Sequence, residues 1–196
     1  MRIVGGKHRG RSLTCPTGKT ARPTLDRTRE SLFNILLQGD VSKGLLPQGT
    51  KSLLIGQHIL DVFAGTGALG LEALSRGAQK VTFIEKAPDS LAALRDNIKN
   101  LKEQQSTQII QGDALTPPKA RPKTGDACSL VLMDAPYNQD LTEPAITALD
   151  KAGWITKTAL IVAECDAKEN ITAPPDFEEV DNRKYGKARI FFFLRT

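Results

Sequence analysis

The chain has 196 residues, 40% of them hydrophobic and 25% charged, with a formal net charge of +5 at pH 7. That length and balance fit one globular domain with its own core, or one domain with a small appendage, and exclude a low-complexity or fibrous chain. No run approaches the ~20 apolar residues of a membrane span, the N-terminus MRIVGGKHRGR carries no apolar signal segment, and three scattered cysteines, Cys15, Cys128 and Cys165, read as reduced thiols of a cytosolic protein.

The charge is uneven. Arg2, Lys7, Arg9, Arg11, Lys19, Arg22, Arg27 and Arg29 stand in residues 1–30 against Asp26 and Glu30, so the remainder is close to neutral. A basic arm on a near-neutral body points to a polyanion, nucleic acid first, with a merely solvated terminus as the plain alternative. Within it, RIVGG and GRSLTC read as two short strands about a glycine-rich turn. KTARPT is a loop, and a helix follows from Thr24, with Leu32, Phe33, Leu36 and Leu37 at helical spacing and Gly39 as its stop. Residues 39–56 form a Gly, Ser and Pro-containing connector.

Beyond it the pattern alternates. QHILDVF, QKVTFIE, TQIIQGD, ACSLVLMD and TALIVAEC read as strands. GALGLEALSRG, PDSLAALRDNIKNLKEQ (opened by Pro88) and LTEPAITALDKAG read as helices. Residues 114–126 are a proline-rich loop, and the last twenty residues are two strands reversing near Tyr185, Gly186 and Lys187. Apolar strands alternating with amphipathic helices predict an α/β fold: a doubly wound, mostly parallel sheet covered on both faces, with an antiparallel C-terminal hairpin at one edge. The domain reading is a basic β-hairpin arm over 1–23 and one α/β domain over 24–196.

DVFAGTGALG places Gly65, Gly67 and Gly70 as G-x-G-x-x-G between a strand and a helix. Glycines there let the backbone approach a ligand and let the helix pack on the strand. Three acids refine the reading. Asp61 precedes the loop, where it would repel a pyrophosphate and attract an ammonium. Glu85 ends the next strand, where an acid accepts from a ribose diol. Asp113, in QGDA, could accept from an adenine amine. A ligand with an ammonium, a diol and an aminopurine is S-adenosylmethionine. The plain alternative for each acid singly is a cap on the next helix.

The fourth strand ends in Asp134-Ala135-Pro136-Tyr137. This resembles the (Asp/Asn/Ser)-Pro-Pro-aromatic signature of methyltransferases acting on exocyclic amines of bases or on side-chain amides. An aryl amine delocalises its lone pair into the ring. Acceptors at the Asp134 carboxylate and the Ala135 carbonyl would turn that pair toward a methyl group, while Tyr137 stacks on the base for about 1–3 kcal/mol. No metal is called for, and positioning and electrostatics carry the chemistry.

Taken together, RIVGGKHRGR, RPTLDRTRESLFNIL, DVFAGTGALGLEALSRGA, Glu85, GDA and DAPY resemble the RsmD family of 16S rRNA guanine-N2 methyltransferases. The resemblance implies a seven-stranded, Rossmann-like methyltransferase sheet and an N-terminal hairpin that contacts RNA. It implies donor contacts at Asp61, Phe63, Gly65, Gly67, Glu85, Asp113 and Ala114, and a catalytic tetrad at Asp134, Ala135, Pro136 and Tyr137. RNA contacts fall to Arg2, Lys7, Arg9, Arg11 and Arg22, and residues Arg22, Thr24, Asp26, Arg29 and Glu30 are expected to fold over donor and base. The implied substrate is a guanine N2 in small-subunit ribosomal RNA, free or in the assembling 30S subunit, met by a cytoplasmic monomer. Ala135, for the usual proline, and the longer connector 39–56 depart from the family pattern. A DNA-base or protein-glutamine methyltransferase, and a non-catalytic RNA-binding assembly factor on the same fold, are the competing readings.

Overall fold

The computed structural model describes residues 1–16, 26–38, 52–121 and 125–196. Thr24, Gly39, Arg22 and most of the 39–56 connector therefore lie outside the described residues. The elements, in chain order, are α1 (Asp26–Gln38), β1 (His58–Val62), α2 (Ala68–Ser75), β2 (Lys80–Glu85), α3 (Pro88–Leu101), β3 (Thr107–Gln111), β4 (Cys128–Asp134), α4 (Thr142–Lys151), β5 (Ile155–Asp166), β6 (Phe177–Tyr185) and β7 (Ala188–Arg195).

The seven strands form one sheet in the order β3-β2-β1-β4-β5-β7-β6. The first five are parallel; β7 runs antiparallel beside β5, and β6 pairs outside it. The expected doubly wound sheet with a C-terminal hairpin is thus borne out. The strands were recognisable because they are buried on both faces and so read as apolar runs. Alternation assigns each residue to a face. Ile59, Val81, Phe83, Leu130, Leu132, Leu160 and Val162 pack beneath α1, α2 and α3. Leu60, Val62, Ile84, Val131, Met133, Ile161 and Ala163 pack on the other side, with Ala145, Ile146 and Leu149 of α4 and with Trp154. By the same period Asp61, Glu85, Asp134 and Glu164, each at or near the carboxyl end of its strand, belong to the α1–α3 face.

β5 begins three residues earlier than the apolar run TALIVAEC. Ile155 pairs with Cys128, and the register shifts between Cys128 and Leu130. The polar Thr156, Lys157 and Thr158 fill that irregular stretch, which hides it from a periodicity reading. Among the described residues no helix is long and apolar enough to cross a membrane, and all three cysteines are free thiols.

The N-terminal arm differs from expectation. Instead of two strands there is a single antiparallel bridge, Arg2 to Ser12, flanked by Ile3 N–H to Arg11 O and Leu13 N–H to Met1 O, both 2.9 Å. The backbone groups that would lengthen the ladder are spent on α2. Val4 N–H donates to Glu72 Oε2 at 2.8 Å, Ser75 Oγ donates to Gly5 O, and His8 N–H donates to Ser75 Oγ at 2.9 Å. Ile3 and Leu13 are buried in the core of the α1–α3 face, so the arm's apolar residues share the core of the sheet. The boundary read near residue 23 falls outside the described residues.

Candidate active site

The turn after β1 is held by short-range geometry. Gly67 N–H donates to Ala64 O at 2.7 Å and Leu71 N–H to Gly67 O at 2.9 Å. Gly67 has φ of +81°, and a Cβ there would lie 2.4 Å from Leu94 Cδ1. At Gly70 a Cβ would stand 2.4 Å from Phe83 Cε1 and 2.7 Å from Val81 Cγ1. The third glycine of the motif therefore lets α2 lie against β2, the packing role such a position has in this kind of loop. Phe63, between Asp61 and Gly65, has φ of +56°. A bulky residue in that region costs about 1–3 kcal/mol and persists only where its surroundings impose it.

The three acids read from sequence all take backbone donors. Asp61 Oδ2 accepts Gly70 N–H at 2.8 Å, inside the protein. Glu85 Oε2 accepts Gly65 N–H at 2.7 Å, and its Oε1 takes Lys86 N–H and Ala87 N–H. Asp113 Oδ1 accepts Leu115 N–H at 3.0 Å, and Lys86 Nζ reaches its Oδ2 at 2.9 Å. Only Asp61 thus realises the plain alternative, bonding an amide in the first turn of α2; Glu85 and Asp113 bond amides of turns. The electrostatics nonetheless join three carboxylates. Burial pushes the Asp61 carboxyl well above its ordinary range, the Gly70 N–H opposes this, and the charges of Asp134 and Glu85 push it further up. Carboxylates on β1, β2 and β4 therefore feel one another on one face of the sheet. Asp113 is held low by the Leu115 N–H and by Lys86; Ala114 beside it is buried.

The tetrad continues β4 on the neighbouring tip. Asp134 is half-buried, Ala135 buried, Pro136 exposed and Tyr137 half-buried. The Tyr137 hydroxyl donates to Glu164 Oε1 at 3.0 Å. Asn138 and Asp140 follow with φ of +57° and +50°. Glu169 pins this turn: its carboxylate accepts Asn138 N–H and, at 3.0 Å, Asp166 N–H at the end of β5. Ala135, Pro136, Thr142, Glu164, Cys165 and Ile171 help line a cavity of about 260 Å³ on this side. Glu164 and Glu169 were missed by sequence reasoning. A glutamate ending the apolar run ALIVAEC was the available signal for the first; Glu169 had none.

The basic arm does not join the tetrad. Arg2 pairs with Asp26 at 3.1 Å, Lys7 with Glu103 at 2.7 Å, and Arg11 donates to Asn100 O at 3.2 Å; Arg9 is exposed. His8 Nε2 also meets Glu103 Oε1. Burial raises the Glu103 carboxyl, but its bonds to Lys7 and His8 prevail and hold it below its ordinary value. Asn100 and Glu103 sit at the far end of α3, which runs away from the strand tips, and Asp26 opens α1. Arg29, expected near donor and base, is fully buried and binds Asp26 Oδ1 at 2.8 Å and the Arg2 carbonyl.

Comparison with known proteins accords with this geometry. Residues 1–194 match the family described as Conserved hypothetical protein 95. Ribosomal RNA small subunit methyltransferase D of Escherichia coli K12 is 34% identical over 175 residues, 89% of this chain and 79% of that one. The putative rRNA methyltransferase YlbH of Bacillus subtilis is 31% identical over 166 residues, 85% of this chain and 83% of that one. Among solved structures, the putative methyltransferase yhhF from Escherichia coli superposes with a TM-score of 0.78 at 31% identity, covering 100% of this chain and 97% of that one. The similarity runs through arm, glycine loop, tetrad and C-terminal hairpin alike, and the chain belongs to the Conserved hypothetical protein 95 family, the RsmD family of ribosomal RNA methyltransferases.

Proposed function

We propose that the protein transfers a methyl group from S-adenosylmethionine to the exocyclic N2 of a guanine in small-subunit ribosomal RNA. The observation that carries this reading is the row of strand-tip carboxylates: Asp61, Glu85 and Asp134 stand at or near the ends of adjoining parallel strands on one face of the sheet, and Tyr137 is anchored beside the last of them. The donor set fits such a methyl donor. Asp61, buried and pushed up by burial and by the charges of Asp134 and Glu85, would hold an ammonium. Glu85 would accept from a ribose diol, and Asp113 with Ala114 would border the adenine. Phe63, Gly65 and Gly67 would shape the backbone around it. When bound, the donor supplies a methyl carbon on a positively charged sulfur, and the carbon–sulfur electron pair stays with sulfur on transfer.

The chain's own residues prepare the acceptor. The Asp134 carboxylate and the Ala135 carbonyl accept the two amine N–H bonds, turning the lone pair out of the ring plane, and Asp134 holds the proton that the amine sheds. Tyr137 stacks on the base. Exclusion of water from a low-dielectric site strengthens each of these interactions. A guanine amine inside an A-form helix is hard for side chains to reach, so the target is a loop base or one flipped from its stack. The arm cations Arg2, Lys7, Arg9 and Arg11 contact phosphates away from the target base, with affinity that falls steeply as salt rises, and Arg22 is assigned to the same RNA. The monomer acts in the compartment of the assembling small subunit.

The test is mass spectrometry of small-subunit rRNA nucleosides from a strain lacking the gene. Loss of one N2-methylguanosine, restored by the wild-type gene and not by Asp134→Ala, is the expected result. An unchanged nucleoside content overturns the reading.

A further inference from the structure

We propose that the outer face of α3 continues the RNA surface beyond the arm: Arg95, Lys99 and Lys102 bind phosphates of one RNA strand as it passes from the arm toward the donor site. The proposal rests on the reading of ribosomal RNA as the substrate.

α3 buries one side and exposes the other. Leu91, Leu94, Asn97, Ile98 and Leu101 are buried, whereas Asp89, Arg95, Asp96, Lys99 and Lys102 are exposed. At about 3.6 residues per turn, Arg95, Lys99 and Lys102 fall at i, i+4 and i+7 along one line of the helix, about 10 Å from end to end. Asp89 and Asp96, also seven positions apart, share a different line, about 100° round the helix from Arg95. The cations are therefore not interleaved with the acids. Both ends of their line meet elements already described. Lys102 adjoins Glu103, whose carboxylate takes Lys7 and His8 of the arm, and the Arg11 guanidinium donates to Asn100 O at 3.2 Å. At the other end Arg95 Nη2 reaches Gln111 Oε1 at 3.4 Å, and Gln111 ends β3 just before Asp113.

Charge accounting favours this face. Arg2 and Lys7 are paired with Asp26 and Glu103, so part of the arm's charge is neutralised within the protein. Among the described residues Arg9, Arg11, Arg95, Lys99 and Lys102 form no ion pair, and all are exposed. Cations without an acid partner meet a phosphate with their full charge, and each phosphate they neutralise releases condensed counterions. Lys99 and Lys102 also complement the carbonyl end of the helix dipole, an effect confined to the last turn. Arg95 stands before that turn, so the dipole leaves it unexplained. A straight row of cations suits the evenly spaced phosphates of a nucleic acid strand, and the row leads from the foot of the arm to the rim of the donor site.

The test compares two triple variants of the full chain in a salt titration of RNA binding. It uses a small-subunit ribosomal RNA fragment or the reconstituted subunit, whichever the wild-type protein methylates. Arg95→Gln with Lys99→Gln and Lys102→Gln removes the row. Lys119→Gln with Lys151→Gln and Lys157→Gln removes the same net charge from other exposed positions; Lys151 closes α4, on the opposite face of the sheet. The row variant is expected to bind roughly 10- to 100-fold more weakly at about 0.1 M salt, with a salt slope shallower by about 2. The second triple is expected to bind within about threefold of wild type, because distant charges are screened at that salt. Lys99→Gln alone, one exposed change, should make the slope shallower by about 0.7. Circular dichroism confirms that each variant is folded. Wild-type affinity and slope in the row variant, or in Lys99→Gln should the triple not fold, would overturn the proposal. Equal weakening by the two triples would do so as well, by reducing the effect to net charge. A wild-type protein that methylates neither RNA would overturn the reading of the substrate, and the proposal with it.

Discussion

Glu72→Gln tests how the arm is secured to the body of the protein. Glu72 is fully buried on α2. Its Oε1 meets Arg76 Nε at 2.7 Å, its Oε2 accepts Val4 N–H at 2.8 Å, and Arg29 Nε stands 3.7 Å away. The substitution preserves shape, so no cavity term enters; it removes the negative charge between two guanidiniums, and the new amide presents its own donors to a donor-rich site. Removing one partner of a buried ion pair typically costs about 3–5 kcal/mol. Arg29 keeps Asp26, whose side chain is 40% exposed, which places the expected loss near the lower bound, about 3 kcal/mol. For a chain of this size that corresponds to a Tm lower by roughly 6–12 °C. Thermal and urea unfolding by circular dichroism measure it, and hydrogen exchange at the Val4 amide reports whether the arm loosens first. A Tm within about 2 °C of wild type, with Val4 still protected, would refute the assignment of Glu72 as the clamp.

Three further outcomes follow from the site. Gly70→Ala forces a Cβ to within 2.4 Å of Phe83. It should cost about 1–3 kcal/mol of stability and weaken donor binding; a denaturation midpoint equal to wild type would show that β2 yields freely. Binding of S-adenosylmethionine should release protons. Burial and the neighbouring charges of Asp134 and Glu85 raise the Asp61 carboxyl, and an ammonium favours its ionised form. Affinity should therefore be full above the raised pKa and fall below it, while the free protein, which binds the extra proton only when folded, loses stability as pH rises from the unfolded value of 3.8 through that raised pKa. Calorimetry in buffers of different ionisation enthalpy reads the release, and a pH-independent affinity without it would exclude an ammonium at Asp61. Ala135→Pro keeps the carbonyl and fixes φ, so turnover should hold or improve, with a stability gain of about 0.4–1 kcal/mol; a tenfold fall in kcat would mean that the Ala135 N–H or its backbone freedom is needed.

What the amino-acid order revealed and what it concealed have one physical division. In a parallel sheet every strand ends on the same edge, so an acid closing an apolar run is locally recognisable and its edge is known without the fold. Asp61, Glu85 and Asp134 were legible for that reason, as were the glycines, whose tolerance of positive φ and close packing belongs to the turn itself. Lateral neighbours are another matter. That Tyr137 would meet Glu164, 27 positions on, depends on β5 adding beside β4. That Lys7 would meet Glu103 depends on the arm lying along α2 and α3. The eight cations of the first thirty residues read correctly as a basic segment, yet charge counting carries no information on which of them the body itself neutralises.

The same division explains why Ala135 is less consequential than it looks in the sequence. In the usual tetrad a proline preorganises the turn from within. Here the turn is held from outside: Glu169 accepts Asn138 N–H on one side and Asp166 N–H on the other, and Tyr137 is tied to β5 through Glu164. Two carboxylates from the β5 side thus supply constraint that one pyrrolidine ring would otherwise give, at positions no local motif includes. Fixing a loop by bonds to a neighbouring strand restricts it only in the folded protein, whereas proline restricts the unfolded chain as well. The tetrad's geometry therefore depends on the β4–β5 pairing more than on its own four residues. A perturbation at Glu169 should disturb the turn carrying Tyr137 more than the change of proline to alanine does.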